Sequence, residues 1–142
     1  MMRSARRLPP MPADVAKAFA RWPEPARAQL LTVRQLIFST AAETPCVGEL
    51  TETLKWGEPA YLTEATGSGS TIRLGISKSP GGEGAVLFNC HTTLAAAFRV
   101  QFSEFAYQGN RAILLDPART VPTAQLAICL AMALTYHRKR VG

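Results

Sequence analysis

The chain is poor in the residues that most often carry chemistry. It has two histidines, His91 and His137, and three cysteines, Cys46, Cys90 and Cys129. An odd number of cysteines, spaced 44 and 39 residues apart, fits no disulfide framework and no zinc or redox motif. Unpaired thiols of this kind read as small buried hydrophobes in a reducing compartment. No apolar run approaches the ~20 residues that a membrane-crossing helix needs. The opening MMRSARRLPPMP has basic residues but no apolar core, so it does not read as a signal peptide. A cytoplasmic location is the expectation. There is no GxSxG elbow, no HExxH pair, no EF-hand spacing and no P-loop. The glycine-rich stretches Thr66–Ser70 and Ser79–Gly84 lack the residues that make a phosphate cradle. They read as loops between strands, the first of them flexible.

Acidic residues are the scarcer charge, ten against sixteen basic ones, for a net charge of +6. The excess is terminal. Arg3, Arg6 and Arg7 open the chain and Arg138, Lys139 and Arg140 close it. Without those six the body is neutral, with ten residues of each sign. Taken whole, the charge suits a polyanion or an anionic membrane surface. Its distribution suits solvated tails better. Neither nucleic acid nor a membrane is expected as a partner.

What is present is an ordinary globular composition, 47% hydrophobic and 18% charged over 142 residues. That is enough chain for one core without disulfides or a structural metal. The expected layout is a mobile arm over residues 1–11, one domain over 12–138, and a basic tail over 139–142.

Periodicity supplies the elements. Val15, Phe19 and Trp22 form a stripe on a short helix between Pro12 and Pro23. Leu30, Val33, Ile37 and Ala41 form another from Pro25 to about Ala42. The period then changes to two. Leu50, Leu54 and Trp56 alternate with Thr51, Thr53 and Lys55, and Gly57-Glu58-Pro59 turns the chain into a second strand, Ala60–Thr63. In Thr71–Ser77, Ile72, Leu74 and Ile76 face one way and Thr71, Arg73, Gly75 and Ser77 the other. Ala85–Cys90 is its return strand. A short helix over Leu94–Phe102 and a hairpin turning at Gln108-Gly109-Asn110 follow. Leu126, Cys129, Leu130, Ala133 and Leu134 mark a last helix, from Thr123 to His137. The order α-α-β-β-β-β-α-β-β-α predicts an α+β fold, a two-layer sandwich of a mainly antiparallel sheet with N- and C-terminal helices on one face.

Candidate site residues come from the other face. Arg73 and Asn89 share it, and Tyr61, Tyr107 and Arg111 are candidates to join them. His91 stands at the end of the return strand, and Trp56 either fills the core or walls a shallow pocket. A guanidinium, an amide and aromatic walls suit a small anionic or planar ligand, because arginine offers a planar fork of donors. Cys90 and His91 are adjacent on a strand and point to opposite faces, so they are not a nucleophile and its base. His137 reads as a continuation of the last helix's apolar stripe.

Five segments together resemble a known family. They are Lys55-Trp56-Gly57-Glu58-Pro59-Ala60-Tyr61, Ile72-Arg73-Leu74-Gly75, Phe88-Asn89-Cys90-His91-Thr92, Tyr107-Gln108-Gly109-Asn110-Arg111-Ala112-Ile113 and Tyr136-His137. Their order is similar to that of the YdhG-like domain of unknown function, a bacterial family, over residues 12–138. The resemblance implies a frataxin-like α+β architecture. One member of the family is described as an iron chaperone. For this chain the corresponding carboxylates are Glu43, Glu49 and Glu52. Arg27 and Arg34 interrupt the acidic ridge that such proteins use.

Three functions follow as expectations. The first is a non-catalytic binding domain, with no cofactor, taking a small ligand or a protein partner on the open sheet face through Trp56, Tyr61, Arg73, Asn89, His91, Tyr107 and Arg111. The alternative is an iron-binding protein using Glu43, Glu49 and Glu52, the only reading with a metal. The third is an enzyme with His91 as general base. A half-exposed sheet also leaves a homodimer open.

Overall fold

A computed structural model of the chain describes residues 8–78 and 81–138. Arg3, Arg6, Arg7, Lys139, Arg140, Ser79 and Pro80 lie outside the described residues. Helix α1, Ala13–Ala20, starts directly after Pro12, whose carbonyl accepts the Ala16 N–H at 2.9 Å. Asp14 sits in its first turn, where the helix dipole favours a negative charge. Helix α2, Ala26–Glu43, follows Pro25, and the Glu24 carboxylate just ahead of it accepts the Ala28 N–H of the first turn at 3.1 Å. The Arg27 guanidinium beside it holds that carboxyl below the usual carboxylate range.

Six strands follow in one sheet: β1 Thr51–Lys55, β2 Glu58–Leu62, β3 Ile72–Ile76, β4 Gly84–Leu87, β5 Ala106–Gln108 and β6 Ala112–Leu114. Their spatial order is β1-β2-β3-β4-β6-β5, and every neighbouring pair is antiparallel. Helix α3, Leu94–Gln101, carries the chain from β4 to the far edge, and helix α4, Thr123–Leu134, returns it. The order and type of the elements are those the periodicity predicts.

One face of the sheet meets the helices. Tyr61, Ile72, Leu74, Val86, Phe88 and Ile113 pack there against Val15, Phe19, Leu30, Ile37, Phe98, Leu126 and Leu130. Phe88 meets Phe98 edge-on with ring centroids 5.0 Å apart, and Phe38 meets Tyr61 the same way at 5.7 Å. The layer between sheet and helices is the core, which accounts for the hydrophobic stripe on each helix.

Four expectations need correction. The Thr66–Ser70 loop is not free. The Ser68 hydroxyl donates to the Leu134 carbonyl at 2.8 Å, the Ser70 N–H to Ala133 at 2.8 Å, and the His137 N–H to the Ser68 carbonyl at 2.8 Å. The loop therefore closes the C-terminus of α4, whose last carbonyls have no partner within the helix. Gly69 lies so close that a Cβ there would run into the Leu134 carbonyl. Secondly, α4 ends at Leu134, so His137 is an exposed residue beyond the helix rather than part of its stripe. Thirdly, β4 ends at Leu87, and Asn89–Thr92 turns away, held by the Asn89 side chain accepting the His91 N–H at 2.8 Å. Lastly, the described part of the N-terminal arm is anchored. Met11 packs on the core and the Pro9 carbonyl accepts from Arg34 at 2.9 Å.

Candidate functional site

The register of the sheet decides what stands on the face away from the helices. Residues paired across antiparallel strands share a face. One row runs Thr53, Ala60, Arg73, Leu87, Ala112, Gln108, and the next runs Lys55, Glu58, Gly75, Ala85, Leu114, Ala106. Thr51 and Leu62 pair at the far end of β1 and β2.

Small residues make the floor of this face. Ala60, Gly75, Ala85 and Ala112 are buried although no helix covers them, because taller neighbours stand around them. Those neighbours are half-buried Leu62, Leu87 and Leu114, together with Arg73 and Glu58. The Arg73 guanidinium donates to the Glu58 carboxylate in a close, half-buried ion pair. That carboxylate reaches across Gly75, where a Cβ would collide with it, and Leu87 stands on the other side. Glycine is required at this point because the ion pair lies flat on the sheet.

The structure divides the candidate residues. Arg73 is at the centre of the open face. Asn89 is exposed two residues beyond Leu87, past the end of β4. His91 and Arg111 are exposed, His91 in the turn after β4 and Arg111 between β5 and β6. Trp56 is neither core nor pocket wall. It is 89% exposed at the tip of the β1–β2 hairpin, with a left-handed φ of 57°.

Tyr61 and Tyr107 are not on this face. Tyr61 belongs to the helix side and is fully buried. Its hydroxyl donates to Glu52 at 2.8 Å. Burial, and next the negative charge of Glu52, push the phenol far above its ordinary range. Tyr107 pairs with Ile113, donates to the Phe102 carbonyl at 2.7 Å, and carries the Arg99 guanidinium 5.1 Å from its ring centroid. Burial foremost pushes its phenol up to about 12.

Glu52 is the residue whose role the sequence conceals most. Arg34 of α2 grips it with two hydrogen bonds, at 2.6 and 2.9 Å, and the two side chains are only 6% and 5% exposed. The Glu52 hydrogen bonds hold the Arg34 guanidinium protonated beyond its ordinary range. Glu43 and Glu49 are exposed, at the end of α2 and ahead of β1. Among the described residues no group of three His, Cys, Asp or Glu is placed to hold a metal ion, so Glu43, Glu49 and Glu52 do not make one.

Sequence reasoning missed Glu58 and the three leucines of the open face. Glu58 sits in a Gly-Glu-Pro string that reads as a turn. Alternation puts Leu87 on the Asn89 side of its strand, but only the register brings Leu62 and Leu114 to the same face. The strand alternation around Arg73 was the signal that separated this face from the helix side. No helix among the described residues is long and apolar enough to cross a membrane. No family model, curated protein or solved structure compared with the chain matches it.

Proposed function

We propose that this protein is a non-catalytic binding domain that holds a protein partner on the open face of its sheet. The supporting observation is the build of that face: a floor of Ala60, Gly75, Ala85 and Ala112, a rim of half-buried leucines, and one ion pair between Arg73 and Glu58. A flat surface with a central apolar area and a polar margin suits another protein surface. The margin here is Thr51, Thr53, Gln108 and Asn89. Arg73 uses part of its donor fork on Glu58, and the guanidinium has five N–H groups in all. The remainder suits a carboxylate or a backbone carbonyl of the partner. Membership of the YdhG-like family belongs to the same reading, supported by the α+β architecture that the resemblance implies, and a cytoplasmic location is proposed with it.

A photo-crosslinking amino acid at Leu87 tests this in the cells that make the protein. Illumination is expected to give one discrete adduct, and Arg73→Ala is expected to remove it while far-UV circular dichroism shows the variant still folded. The same amino acid at Gln35, exposed on α2, is expected to give none. An adduct from Gln35 alone, or none from Leu87, overturns the proposal. An adduct of small-molecule mass at Leu87 replaces the protein partner with a ligand.

A further inference from the structure

The sheet has two edges, and they differ. β5 is three residues long, and short edge strands resist pairing. β1 has five residues, Thr51–Lys55, in unbroken register with β2, and contains no proline or glycine. Its register also fixes which backbone groups face outward. Trp56 and Gly57 both have positive φ, the signature of a two-residue type I′ turn. Such a turn is closed by a hydrogen-bonded pair, here Lys55 with Glu58. Hydrogen-bonded pairs then recur at Thr53–Ala60 and Thr51–Leu62. Pro59, with no N–H to give, falls correctly in the non-bonded pair with Leu54. The N–H and C=O groups of Glu52 and Leu54 therefore point out of the sheet.

We infer that these outward groups pair with β1 of a second copy of this chain, antiparallel about a two-fold axis through Thr53. The two six-stranded sheets then form one continuous sheet. In this register Glu52 of each copy stands opposite Leu54 of the other. Each such pair exchanges two backbone hydrogen bonds, so the edge forms four. Thr53 meets Thr53, a favourable cross-strand pair, and Thr51 meets Lys55. No like charges face each other. An axis through Glu52 places two carboxylates opposite one another. An axis through Leu54 sets Glu52 against Trp56, whose left-handed backbone cannot continue a strand.

Trp56 points to the same occupant independently. A non-glycine residue in the left-handed region costs roughly 1–2 kcal/mol, and asparagine or glycine suits this turn position better. Within one chain nothing offsets that cost, because the side chain is 89% exposed. The same two-fold brings the hairpin tip that carries Trp56 alongside the segment entering β1 of the second copy, where half-buried apolar Leu50 lies. Both copies make this approach, and tryptophan is one of the residues enriched at the energetic hot spots of interfaces. The axis is perpendicular to the sheet, so both open faces lie on the same side. The pairing stands whether or not that face binds another protein.

Sedimentation of the full chain over a dilution series tests it. Thr53 is half-exposed on the open face, so Thr53→Lys and Thr53→Glu are expected to fold, as far-UV circular dichroism will report. Wild type is expected to be a dimer that dissociates on dilution. Either charged variant alone is expected to be monomeric, and an equimolar mixture of the two is expected to dimerise again. Trp56→Asn, a better turn residue, is expected to keep or raise the melting temperature of the monomer while weakening the dimer by about tenfold or more. Wild type that stays monomeric at its highest soluble concentration overturns the inference. So does a dimer that both charged variants and Trp56→Asn leave intact, because it lies elsewhere on the molecule.

Discussion

Arg34, Glu52 and Tyr61 form the most consequential polar group in the core. A buried ion pair is costly to desolvate, and removing one partner strands the other. Glu52→Leu is therefore expected to lower unfolding free energy by about 3–5 kcal/mol in urea titrations. Arg34→Met combined with Glu52→Leu is expected to cost less than Glu52→Leu alone, since no charge is then stranded. A double variant that costs the sum of the singles means the residues do not act together. The tyrosines divide in the same physical way. The Tyr136 hydroxyl accepts the Thr93 N–H at 3.1 Å, which favours its ionised form and lowers its pKa. Burial raises the pKa of both others. Alkaline titration of phenolate absorbance is expected to show one of the three tyrosines ionising in the folded protein. The other two are expected to ionise only with unfolding. Two early phenolates contradict the burial of Tyr61 or Tyr107.

At the scale of elements, the β2–β3 loop is a structural clamp on α4. Gly69→Ala is expected to destabilise the protein by about 1–3 kcal/mol, the usual range for overpacking, and more if α4 must shift. Ser68→Ala is expected to cost about 1 kcal/mol, the worth of one buried hydrogen bond. Gly82→Ala, in the β3–β4 connection, has open space around its Cβ and meets only the left-handed backbone, so it is expected to cost less than Gly69→Ala. Equal losses at Gly69 and Gly82 speak against the clamp. A string of glycine and serine reads as flexible because its composition is the same whether it hangs free or fits beneath a helix end. The fit lies between residues 66 apart in sequence, Ser68 and Leu134, and no local pattern carries it. Arg73 and Gly75 were legible as one face because strand alternation is local. Tyr61 obeys the same alternation, but its side of the sheet depends on where the helices sit.

For the molecule as a whole, three buried or half-buried acids with raised pKa set the response to base. Burial pushes the Cys129 thiol up to about 12, alongside Tyr61 and Tyr107. In the unfolded chain these groups ionise near their ordinary values, about 9 for the thiol and 10 for the phenols. Below pH 9 both states are protonated, and the contribution of these groups to stability is intact. As pH climbs from 9 towards 12 the unfolded chain loses protons that the folded one keeps, so stability falls. The melting temperature is expected to decline over that window, and Cys129→Ala is expected to make its onset less steep. A melting temperature flat to pH 11 contradicts this. Thiol labelling follows the same division. Exposed Cys46 is expected to react at once and buried Cys129 only on unfolding.

The element order, the α+β class and the face of β3 that carries Arg73 were determined by the sequence itself, because periods of 3.6 and 2 report local backbone geometry. Tertiary structure alone decided the burial of Glu52, the clamp of Ser68 and Gly69 on α4, and the exposure of Trp56. Each depends on which distant segment comes to lie beside the residue. A carboxylate reads alike on a surface or under a guanidinium. A tryptophan after Lys55 reads as a strand residue until the turn lifts it away from the core.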